Sequence, residues 1–341
     1  MTNLRVAVAL SGGVDSSVVA AMLKTQGYDV YGITCKLLPE QEAVTPYAQA
    51  VARILDIPHE VIDLTALYTH DVISPFCRAY QSGRTPNPCV DCNRHIKFGA
   101  MLDYVRTTGA RYLATGHYAR ITGDGEFKLL QASDKTKDQS YFLYTLTQSQ
   151  IKDILFPLGT LPKTEVRQMA MKFGVAEHTK QEESQDLCFV SDNNYAAFVA
   201  KYQPAIPGDI VDGQGQVLGQ HSGLSSYTIG QRHGLGVASA APLYVTSLNA
   251  TQNQVVVGPK EALYRSELVA SELNWIAGHP PPDLSDVTAR VRYKSPASAV
   301  TITSSLGMLR VSFQEPQWAI APGQSIVFYR GEEVLGGGII S

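Results

Sequence analysis

The sequence predicts an α/β protein in which a doubly wound parallel sheet is followed by a small mixed β domain and a C-terminal antiparallel β-barrel. Three observations support this fold class. Through the first half of the chain, short apolar runs alternate with segments of helical spacing, which is typical of parallel βα units. Near residue 205, glycine-rich turns and short apolar runs replace that alternation. After residue 270, apolar residues recur roughly with a period of two, which indicates antiparallel strands.

The first region contains the predicted βα units. Predicted strands cover 5–10, 29–36, 59–64 and 112–117, and predicted helices begin at Val14 and cover 47–55, 96–105 and 163–172. In open parallel sheets, ligands bind outside the carboxyl ends of the strands. Gly12, Cys35 and Gly116 all fall at such ends. We therefore expect a ligand site there.

The later regions are predicted to be β-rich. Residues 208–219 have the turn signals of a hairpin, and 300–303, 309–313 and 325–329 have alternating apolar residues. The expected domains are a catalytic domain at 1–204, a central β-rich domain at 205–268 and a C-terminal barrel at 269–341.

The composition is that of a soluble globular protein, because 44% of the 341 residues are hydrophobic and 17% are charged. No run approaches the roughly 20 apolar residues that a membrane helix needs, and no signal peptide is visible before the first strand. The five cysteines are an odd number, which favours functional thiols in a reducing cytoplasm. With a net charge of −3, any binding of nucleic acid would depend on local basic patches.

The segment Leu10-Ser-Gly-Gly-Val-Asp-Ser-Ser17 joins a predicted strand to a predicted helix. A glycine-rich turn at a helix N-terminus brings backbone N–H groups and the positive end of the helix dipole to an anion. The segment lacks the Lys-Ser/Thr ending of a Walker A loop, and it is not G-x-G-x-x-G. It predicts a phosphate-binding loop of another type, and the alternative is an ordinary turn rich in glycine and serine.

The segment Gly83-Arg-Thr-Pro-Asn-Pro-Cys-Val-Asp-Cys-Asn93 contains a Cys-x-x-Cys pair, Cys89 and Cys92. Such a pair can be a redox dithiol, half of a zinc site or part of an iron–sulfur site, and the alternative is two buried thiols without chemistry. By spacing alone, Cys188 is a lone cysteine for which burial is the default. Cys35 and Cys77 are in apolar surroundings and are expected to be buried.

The turn resembles the SGGxDS loop of the ATP pyrophosphatases (PP-loop enzymes), which transfer AMP to a substrate and release pyrophosphate. Nearly the whole chain resembles the bacterial tRNA-specific 2-thiouridylases, which replace O2 of the wobble uridine by sulfur. The motifs of this resemblance are the loop, Gly83-Arg-Thr-Pro-Asn-Pro, Cys92-Asn, Ile96-Lys-Phe98, Ala114-Thr-Gly-His-Tyr118, Lys137-Asp-Gln-Ser-Tyr-Phe-Leu143, Cys188-Phe, Tyr227-Thr-Ile-Gly-Gln-Arg232, Gly234-Leu-Gly236, Arg292-Tyr293, Pro322-Gly-Gln324 and Gly336-Gly-Gly338.

The resemblance implies a role for each matching residue. Cys92 is the catalytic cysteine, and Cys188 carries the persulfide sulfur. The residues implied to bind ATP, with Mg²⁺, are Ala9, Leu10, Ser11, Gly12, Gly13, Val14, Asp15, Ser16, Cys35 and Gly116. Those implied to contact the target base or the tRNA are Asn87, Pro88, Cys89, Lys137, Asp138, Gln139, Arg292 and Tyr293. The resemblance also implies a sulfur-donor protein, either a cysteine desulfurase or a sulfur relay.

Two simpler alternatives remain for the residues assigned to tRNA. Asp138 would cap a helix start and leave Lys137 in solvent. Arg290, Arg292 and Lys294 would form a solvated strand face.

The chain departs from many members of that family at Cys89, where they have aspartate. Three thiolates can hold a 4Fe-4S cluster and leave one iron open. One hypothesis is that Cys89, Cys92 and Cys188 ligate such a cluster, and its rival is a persulfide relay through Cys188. Zinc is a third possibility, although no fourth ligand is obvious.

The implied reaction has two steps, adenylation of uridine O2 with release of pyrophosphate and then sulfur transfer to C2 with release of AMP. An alternative is a PP-loop enzyme that amidates or ligates a small molecule, which leaves the clustered cysteines unexplained. A second alternative is a tRNA-binding module with a vestigial ATP site.

Overall fold

The computed structural model describes residues 4–39, 45–179, 187–190, 194–202, 204–305 and 307–341. The strands are β1 Arg5–Ala9, β2 Asp29–Lys36, β3 His59–Asp63, β4 Tyr112–Ala114, β5 Ala119–Thr122, β6 Lys128–Gln131, β7 Ile154–Leu155, β8 Gly208–Val211, β9 Val217–His221, β10 Tyr244–Asn249, β11 Gln254–Gly258, β12 Tyr264–Trp275, β13 Thr288–Arg290, β14 Ser298–Ser305, β15 Met308–Trp318, β16 Ser325–Arg330 and β17 Glu333–Ile340.

The α-helices are α1 Val14–Thr25, α2 Thr45–Ile54, α3 Thr65–Tyr68, α4 Ser74–Gln81, α5 Pro88–Asp91, α6 Leu102–Thr107, α7 Gln148–Ile151, α8 Lys163–Lys172 and α9 Tyr195–Ala200. The π-helical segment Thr69–Ile73 joins α3 to α4, and the π-helical segment Cys92–Met101 joins α5 to α6. No helix in the described ranges is long and apolar enough to cross a membrane.

Strands of the first region form the predicted parallel sheet, in the order β3-β2-β1-β4-β7. Every pairing in it is parallel, and Val8 of the central strand β1 lies between Gly32 and Ala114. Ala7 belongs to one apolar cluster, whereas Val6 and Val8 belong to another. Because successive side chains of a strand point to opposite faces, the sheet is packed on both faces. This confirms the doubly wound fold.

The central region forms a mixed sheet, in the order β10-β11-β8-β9. β8 and β11 pair in parallel, and the other neighbours pair antiparallel. Its small core contains Ile210, Val245, Val255 and Val257, all fully buried. The predicted hairpin of 208–219 is confirmed as β8 and β9.

The described C-terminal strands form a closed antiparallel barrel. The strand order is β12-β15-β14-β13-β16-β17, and the pairing of β12 with β17 closes the ring. Val311, Ile326 and Phe328 are fully buried in its core. The prediction of a barrel is therefore confirmed, and closure removes the sheet edges that an open sheet would expose.

One hairpin of the first region joins this barrel, which the sequence did not predict. β5 and β6 pair with each other, and Leu129 and Leu130 of β6 pair with Val334 and Glu333 of β17. The partner strand is about 200 positions away, so no local pattern marks the pairing. Leu129 and Val334 also share the apolar cluster that covers one face of the parallel sheet. The barrel is thus packed directly on the first region.

The helix that contains the Cys-x-x-Cys pair begins earlier than predicted. The sequence predicted a helix over 96–105, but the helical run covers 88–107. Pro88 occupies its first turn, where proline costs no hydrogen bond and its fixed φ suits a helix. Cys89 and Cys92 therefore lie in the first two turns of a helix.

Candidate functional site

The glycine-rich loop lies between β1 and α1, as predicted. Gly12 has φ = 74°, a left-handed conformation that side chains disfavour. The Ser11 N–H donates to Ser16 Oγ at 3.2 Å, and Ser17 Oγ donates to the Gly13 carbonyl at 2.8 Å. No side chain caps the N-terminus of α1. Its first N–H groups therefore have no side-chain acceptor, which is the arrangement that suits a phosphate.

Asp15 of this loop is held by two residues that the sequence analysis did not select. Lys163 Nζ, at the first residue of α8, lies 2.7 Å from Asp15 Oδ1 and 2.8 Å from Oδ2. The Tyr118 hydroxyl donates to Asp15 Oδ1 at 2.9 Å. Tyr118 follows the predicted strand end at Gly116, but nothing in the sequence around Lys163 distinguishes it from a surface lysine.

The structure brings Gly116 against the loop. A Cβ atom at Gly116 would come within 3.0 Å of Asp15 Cβ and 3.1 Å of the Ser16 nitrogen. These distances leave little room for a side chain between the segment that follows β4 and the start of α1. Cys35, at the end of β2, is half-buried, and burial together with the neighbouring Cys92 raises the pKa of its thiol to about 12. Cys35 thus lies between the loop and the cysteine helix.

Cys89, Cys92 and Cys188 converge around the hydroxyl of Tyr68. Cys89 and Cys92 are three positions apart in a helix and so share a face. The Tyr68 hydroxyl is 3.2 Å from Cys188 Sγ. Burial raises the pKa of Tyr68, and the charges of Cys188, Cys92 and Cys89 add to the rise. The distant Cys188 is therefore brought to the Cys-x-x-Cys pair.

The three thiols differ in access to solvent. Cys92 is 8% exposed, whereas Cys89 and Cys188 are exposed. Burial raises the pKa of Cys92 to about 12, and Lys97 opposes this rise. Although Cys89 reaches the surface, the surrounding protein removes part of its hydration and raises its pKa to about 11. All five cysteines are free thiols.

Lys97 lies between the thiols and the segment of Gly116 and His117 that follows β4. Its Nζ is 3.4 Å from His117 Nε2, and His117 Nδ1 is 2.7 Å from Thr115 Oγ1. Burial and the Lys97 charge hold the pKa of His117 well below its usual value. A neutral imidazole with Nε2 as acceptor fits both contacts. The ammonium of Lys97 therefore lies between the thiols and the predicted nucleotide site.

The segment before Cys89 is held by the barrel. The Thr85 N–H donates to the Pro322 carbonyl at 2.8 Å, and Gln324 Nε2 donates to the carbonyls of Thr85 at 2.9 Å and Pro86 at 3.2 Å. Gly323 has φ = 90°, and a Cβ there would come within 3.0 Å of the Thr85 carbonyl. We call these contacts of Pro322, Gly323 and Gln324 the barrel clamp. The motif Pro322-Gly-Gln324 was identified in the sequence, but its contact with Thr85 and Pro86 was not predicted.

The arrangement of the three thiols bears on whether they could hold a metal ion. In the described ranges, no group of three or more His, Cys, Asp or Glu residues is placed to hold a metal ion. The three thiols are near one another, but they are not arranged as ligands of a common ion.

Comparison with known proteins assigns the family. Family models match 4–192 (tRNA methyl transferase HUP domain), 196–259 (tRNA methyl transferase PRC-barrel domain) and 265–340 (aminomethyltransferase beta-barrel domain). The tRNA-specific 2-thiouridylase MnmA of Magnetococcus marinus is 46% identical over 353 residues, covering 98% of each chain. The chain belongs to the tRNA-specific 2-thiouridylase family.

Other members of the 2-thiouridylase family match over equally long stretches. The MnmA of Moorella thermoacetica is 46% identical and covers 98% of each chain. The MnmA of Clostridium perfringens is 42% identical and covers 100% of this chain and 99% of the relative. A solved 4-thiouridine synthetase–RNA complex with bound ATP is 18% identical, with a TM-score of 0.40, and covers 54% of this chain and 44% of that one.

In this member of the 2-thiouridylase family, the residues predicted to contact tRNA lie in different environments. Asp138 is 3% exposed and accepts hydrogen bonds from the backbone N–H groups of Ala132 and Ser140 and from Ser140 Oγ. Gln139 Oε1 accepts from the Tyr118 N–H at 3.0 Å, and Lys137 is half-buried. Asp138 and Gln139 therefore support the fold beside the loop, and their contact with tRNA stays a prediction.

Arg292 and Tyr293 are half-buried at the barrel end that faces the first region. The Tyr293 ring lies 4.5 Å from the ring of Phe142, and Arg292 lies over the ring of Trp318 at 5.2 Å. Asn87 and Pro88 lie at the start of the cysteine helix. Contact of these four residues with tRNA or the target base likewise stays a prediction.

Proposed function

We propose that this protein catalyses the ATP-dependent 2-thiolation of the wobble uridine of tRNA. The observation that carries the proposal is that Lys97 lies near Cys92 and also contacts His117, which follows Gly116 at the glycine-rich loop. Membership of the 2-thiouridylase family supports it. The matching family models bear the name of tRNA methyl transferases, but a methyl transfer would use neither an ATP pyrophosphatase loop nor paired cysteines.

The first step is adenylation. Uridine O2 attacks the α-phosphorus of ATP, the bond to the β-phosphate breaks, and pyrophosphate leaves. Backbone N–H groups of the loop, the Ser11 hydroxyl and the Lys163 ammonium stabilise the charge that develops on the leaving group. Mg²⁺ bound with ATP would neutralise further phosphate charge, and Asp15 is the loop carboxylate suited to hold it. The reacting base must leave its stack in the anticodon loop to reach the site between the glycine-rich loop and the thiols.

The second step is sulfur transfer. The terminal sulfur of a persulfide on Cys188 attacks C2 of the adenylated base, and AMP leaves. The Cys92 thiolate then attacks Cys188 Sγ, so that the thiocarbonyl is released and a Cys92–Cys188 disulfide forms. An external dithiol reductant returns both residues to thiols. The approach of Cys188 and Cys92 around Tyr68 supports this order of events.

A 4Fe-4S cluster held by Cys89, Cys92 and Cys188 is the rival route. The donor set suits such a cluster, but the described residues contain no group arranged to hold a metal, so we derive no step through it. We expect anaerobically purified protein to contain almost no iron and to thiolate tRNA from a persulfide donor. Stoichiometric iron, with activity that is lost on its removal and regained on reconstitution, would favour the cluster instead.

The deciding experiment supplies ATP and a persulfide donor with tRNA or with small amine acceptors. We expect pyrophosphate release only with tRNA that has a suitable uridine, together with a thiolated product that is retarded in a mercury-containing gel. Release with a small acceptor alone would favour an amidating or ligating enzyme. Release with neither would favour a tRNA-binding module.

The physiological setting follows from the substrates. We infer that a sulfur-donor protein, either a cysteine desulfurase or a relay protein, loads Cys188, whose exposed side chain is accessible to a second protein. ATP, tRNA and reduced thiols occur together in the cytoplasm, and we expect the enzyme to act there.

A further inference from the structure

A pocket of about 460 Å³ lies at one end of the barrel and has no role in the steps above. Tyr264, Arg292, Lys294 and Trp318 give it its chemical character. It lies where β12 begins and β15 ends, next to the turn that follows Val291. We call it the Trp318 pocket.

Two large aromatic side chains are exposed at this pocket. Tyr264 and Trp318 are directly opposite each other in the antiparallel pairing of β12 and β15, so their side chains are on the same face. Tyr264 is 46% exposed and Trp318 is 37% exposed. A Cβ at Gly230 of the central domain would come within 3.0 Å of Trp318 Cη2. Trp318 therefore packs closely against Gly230 on one side, while part of its ring surface is exposed to solvent.

The charge of the pocket is positive. The Arg292 guanidinium lies 5.2 Å from the centre of the Trp318 ring, and its Nη2 donates to the carbonyls of Ile229 and Ala319. Lys294 is exposed two positions further on. Among the described residues that line the pocket, these two are cationic and none is acidic. This is a local excess of positive charge on a chain whose net charge is −3.

An exposed aromatic surface with fixed cations suits one class of ligand particularly well. Every nucleobase has a face that stacks on aromatic rings or on a guanidinium plane, and its phosphate is attracted to lysine. Because the Ile229 and Ala319 carbonyls hold the Arg292 guanidinium in place, ligand binding does not have to order that side chain.

Arg292 of the Trp318 pocket is connected through Tyr141 to the segment that leads to Cys89. Burial raises the pKa of Tyr141, and the Arg292 charge and a hydrogen bond with the Asn87 side chain oppose that rise. Arg292 thus lies near Tyr141, and Tyr141 contacts the segment that leads to Cys89. The pocket and the segment before Cys89 are therefore linked through Arg292 and Tyr141.

We propose that the Trp318 pocket binds an unstacked nucleotide of the tRNA other than the uridine that reacts, with its base on Trp318 and Tyr264 and its phosphate beside Lys294. The inference rests on the proposed function for the identity of the RNA. Its role is to anchor the strand so that the reacting uridine is presented in one register.

The chain offers a direct optical test, because it contains only two tryptophans. Trp275 stacks on Phe328 at 5.6 Å within the barrel, so the Trp275→Phe variant leaves Trp318 as the only indole. We expect the fluorescence of that variant to be quenched, in a saturable way, by an RNA hairpin with the anticodon-arm sequence. A free nucleoside monophosphate should quench the fluorescence only at far higher concentration, because it lacks the contacts that the other nucleotides of the hairpin make with the protein.

Variants separate stacking from charge. Trp318→Ala should weaken hairpin binding roughly tenfold without changing its salt dependence, whereas Trp318→Phe should keep most of the affinity. Lys294→Gln should weaken binding of all sequences and reduce the slope of log affinity against log salt by about one. We would then measure a set of hairpins that each lack one base. Loss of one particular base should lower the affinity for the wild type but not the affinity for Trp318→Ala. That coupling holds even if the alanine variant is partly destabilised.

Three results would overturn the inference: an unquenched indole, equal hairpin affinity of Trp318→Ala and wild type, or no abasic position coupled to Trp318. The inference would also be overturned if Trp318→Ala lost binding to a persulfide donor protein while its RNA affinity was unchanged. That result would assign the pocket to a protein partner. Because none of these readouts requires thiolation, a failure of the proposed function would be detected separately, as absence of thiolated product from the wild type.

Discussion

Lys163 Nζ lies 2.7 Å from Asp15 Oδ1, so the carboxylate of the glycine-rich loop is paired with a cation 148 positions away in the chain. The Lys163 side chain is only 11% exposed, which limits screening by salt and solvent. The ion pair places a positive charge beside the predicted phosphate site before ATP arrives. When a triphosphate and its metal bind, the same ammonium is in position to contact the leaving pyrophosphate.

The Lys163 charge should be needed for adenylation. We expect Lys163→Met to lower the rate of tRNA-dependent pyrophosphate release by about 100-fold, because a fixed positive charge at the leaving group is lost. Asp15→Ala should abolish the release. Both variants should bind tRNA within about twofold of wild type, since phosphate contacts elsewhere supply that affinity.

Lys172→Met is the matched control, because Lys172 is the last residue of the same helix and is exposed. It should leave pyrophosphate release unchanged. Equal loss of tRNA binding and of pyrophosphate release in Asp15→Ala would mean that Asp15 supports the fold instead.

Adenylation and sulfur transfer should separate at the thiols. Cys92→Ala and Cys188→Ala should each reduce thiolated tRNA by ~1,000-fold or more, while pyrophosphate release in a single turnover continues. The product is measured in the mercury gel, and pyrophosphate is measured by a coupled assay. Cys77→Ala serves as the control, since Cys77 is buried in the same apolar cluster as Cys92 and Tyr68 but has no role in either step. Full thiolation by the Cys188 variant would rule out the persulfide relay.

The barrel clamp should act on turnover more than on binding. Gln324→Ala removes the two hydrogen bonds to the Thr85 and Pro86 carbonyls, so we expect kcat to fall about tenfold with KM for tRNA almost unchanged. Gln214→Ala, in an exposed turn of the central domain, is the control and should have no effect. A rise in KM with kcat preserved would show that Gln324 contributes to tRNA binding and not to positioning.

Stability should fall on mild acidification because of His117. Its pKa is held well below the usual value by burial and by Lys97, so below about pH 6.5 the unfolded chain binds a proton that the folded protein excludes. The free energy of unfolding should therefore decrease toward pH 5, with a slope of at most about 1.4 kcal/mol per pH unit from this group.

Urea unfolding of His117→Gln between pH 5 and 7 measures this contribution. The variant should have a shallower slope than wild type, whatever its stability at pH 7. His279→Gln, at an exposed position, should keep the wild-type slope. Identical slopes for wild type and His117→Gln would contradict the assignment.

Much of the architecture was predictable because it depends on local patterns. The apolar run before Leu10, the glycines that follow it and the helical spacing after Val14 are neighbours in the chain, and they predicted the loop between β1 and α1 correctly. Period-two alternation likewise predicted β14 to β16. The domain boundaries after residues 204 and 268 stay a prediction.

Errors and omissions occurred where distant segments meet. The cysteine helix was predicted to begin at Ile96, but it begins at Pro88. Proline suits both the first turn of a helix and an extended segment, so the residues around Pro88 do not fix the start. The hairpin of β5 and β6 was missed because each strand has only four residues and its outer partner is β17.

The sequence by itself determined the fold class, the phosphate loop and the presence of three candidate thiols, since each is encoded by residues within a few positions of one another. Only the tertiary structure decided that Lys163 and Tyr118 hold Asp15, that Tyr68 meets Cys188, and that Gln324 holds the segment before Cys89. These contacts join segments separated by more than 100 residues. Their geometry depends on how the sheet, the helices and the barrel pack together, and a local pattern holds no information about that packing.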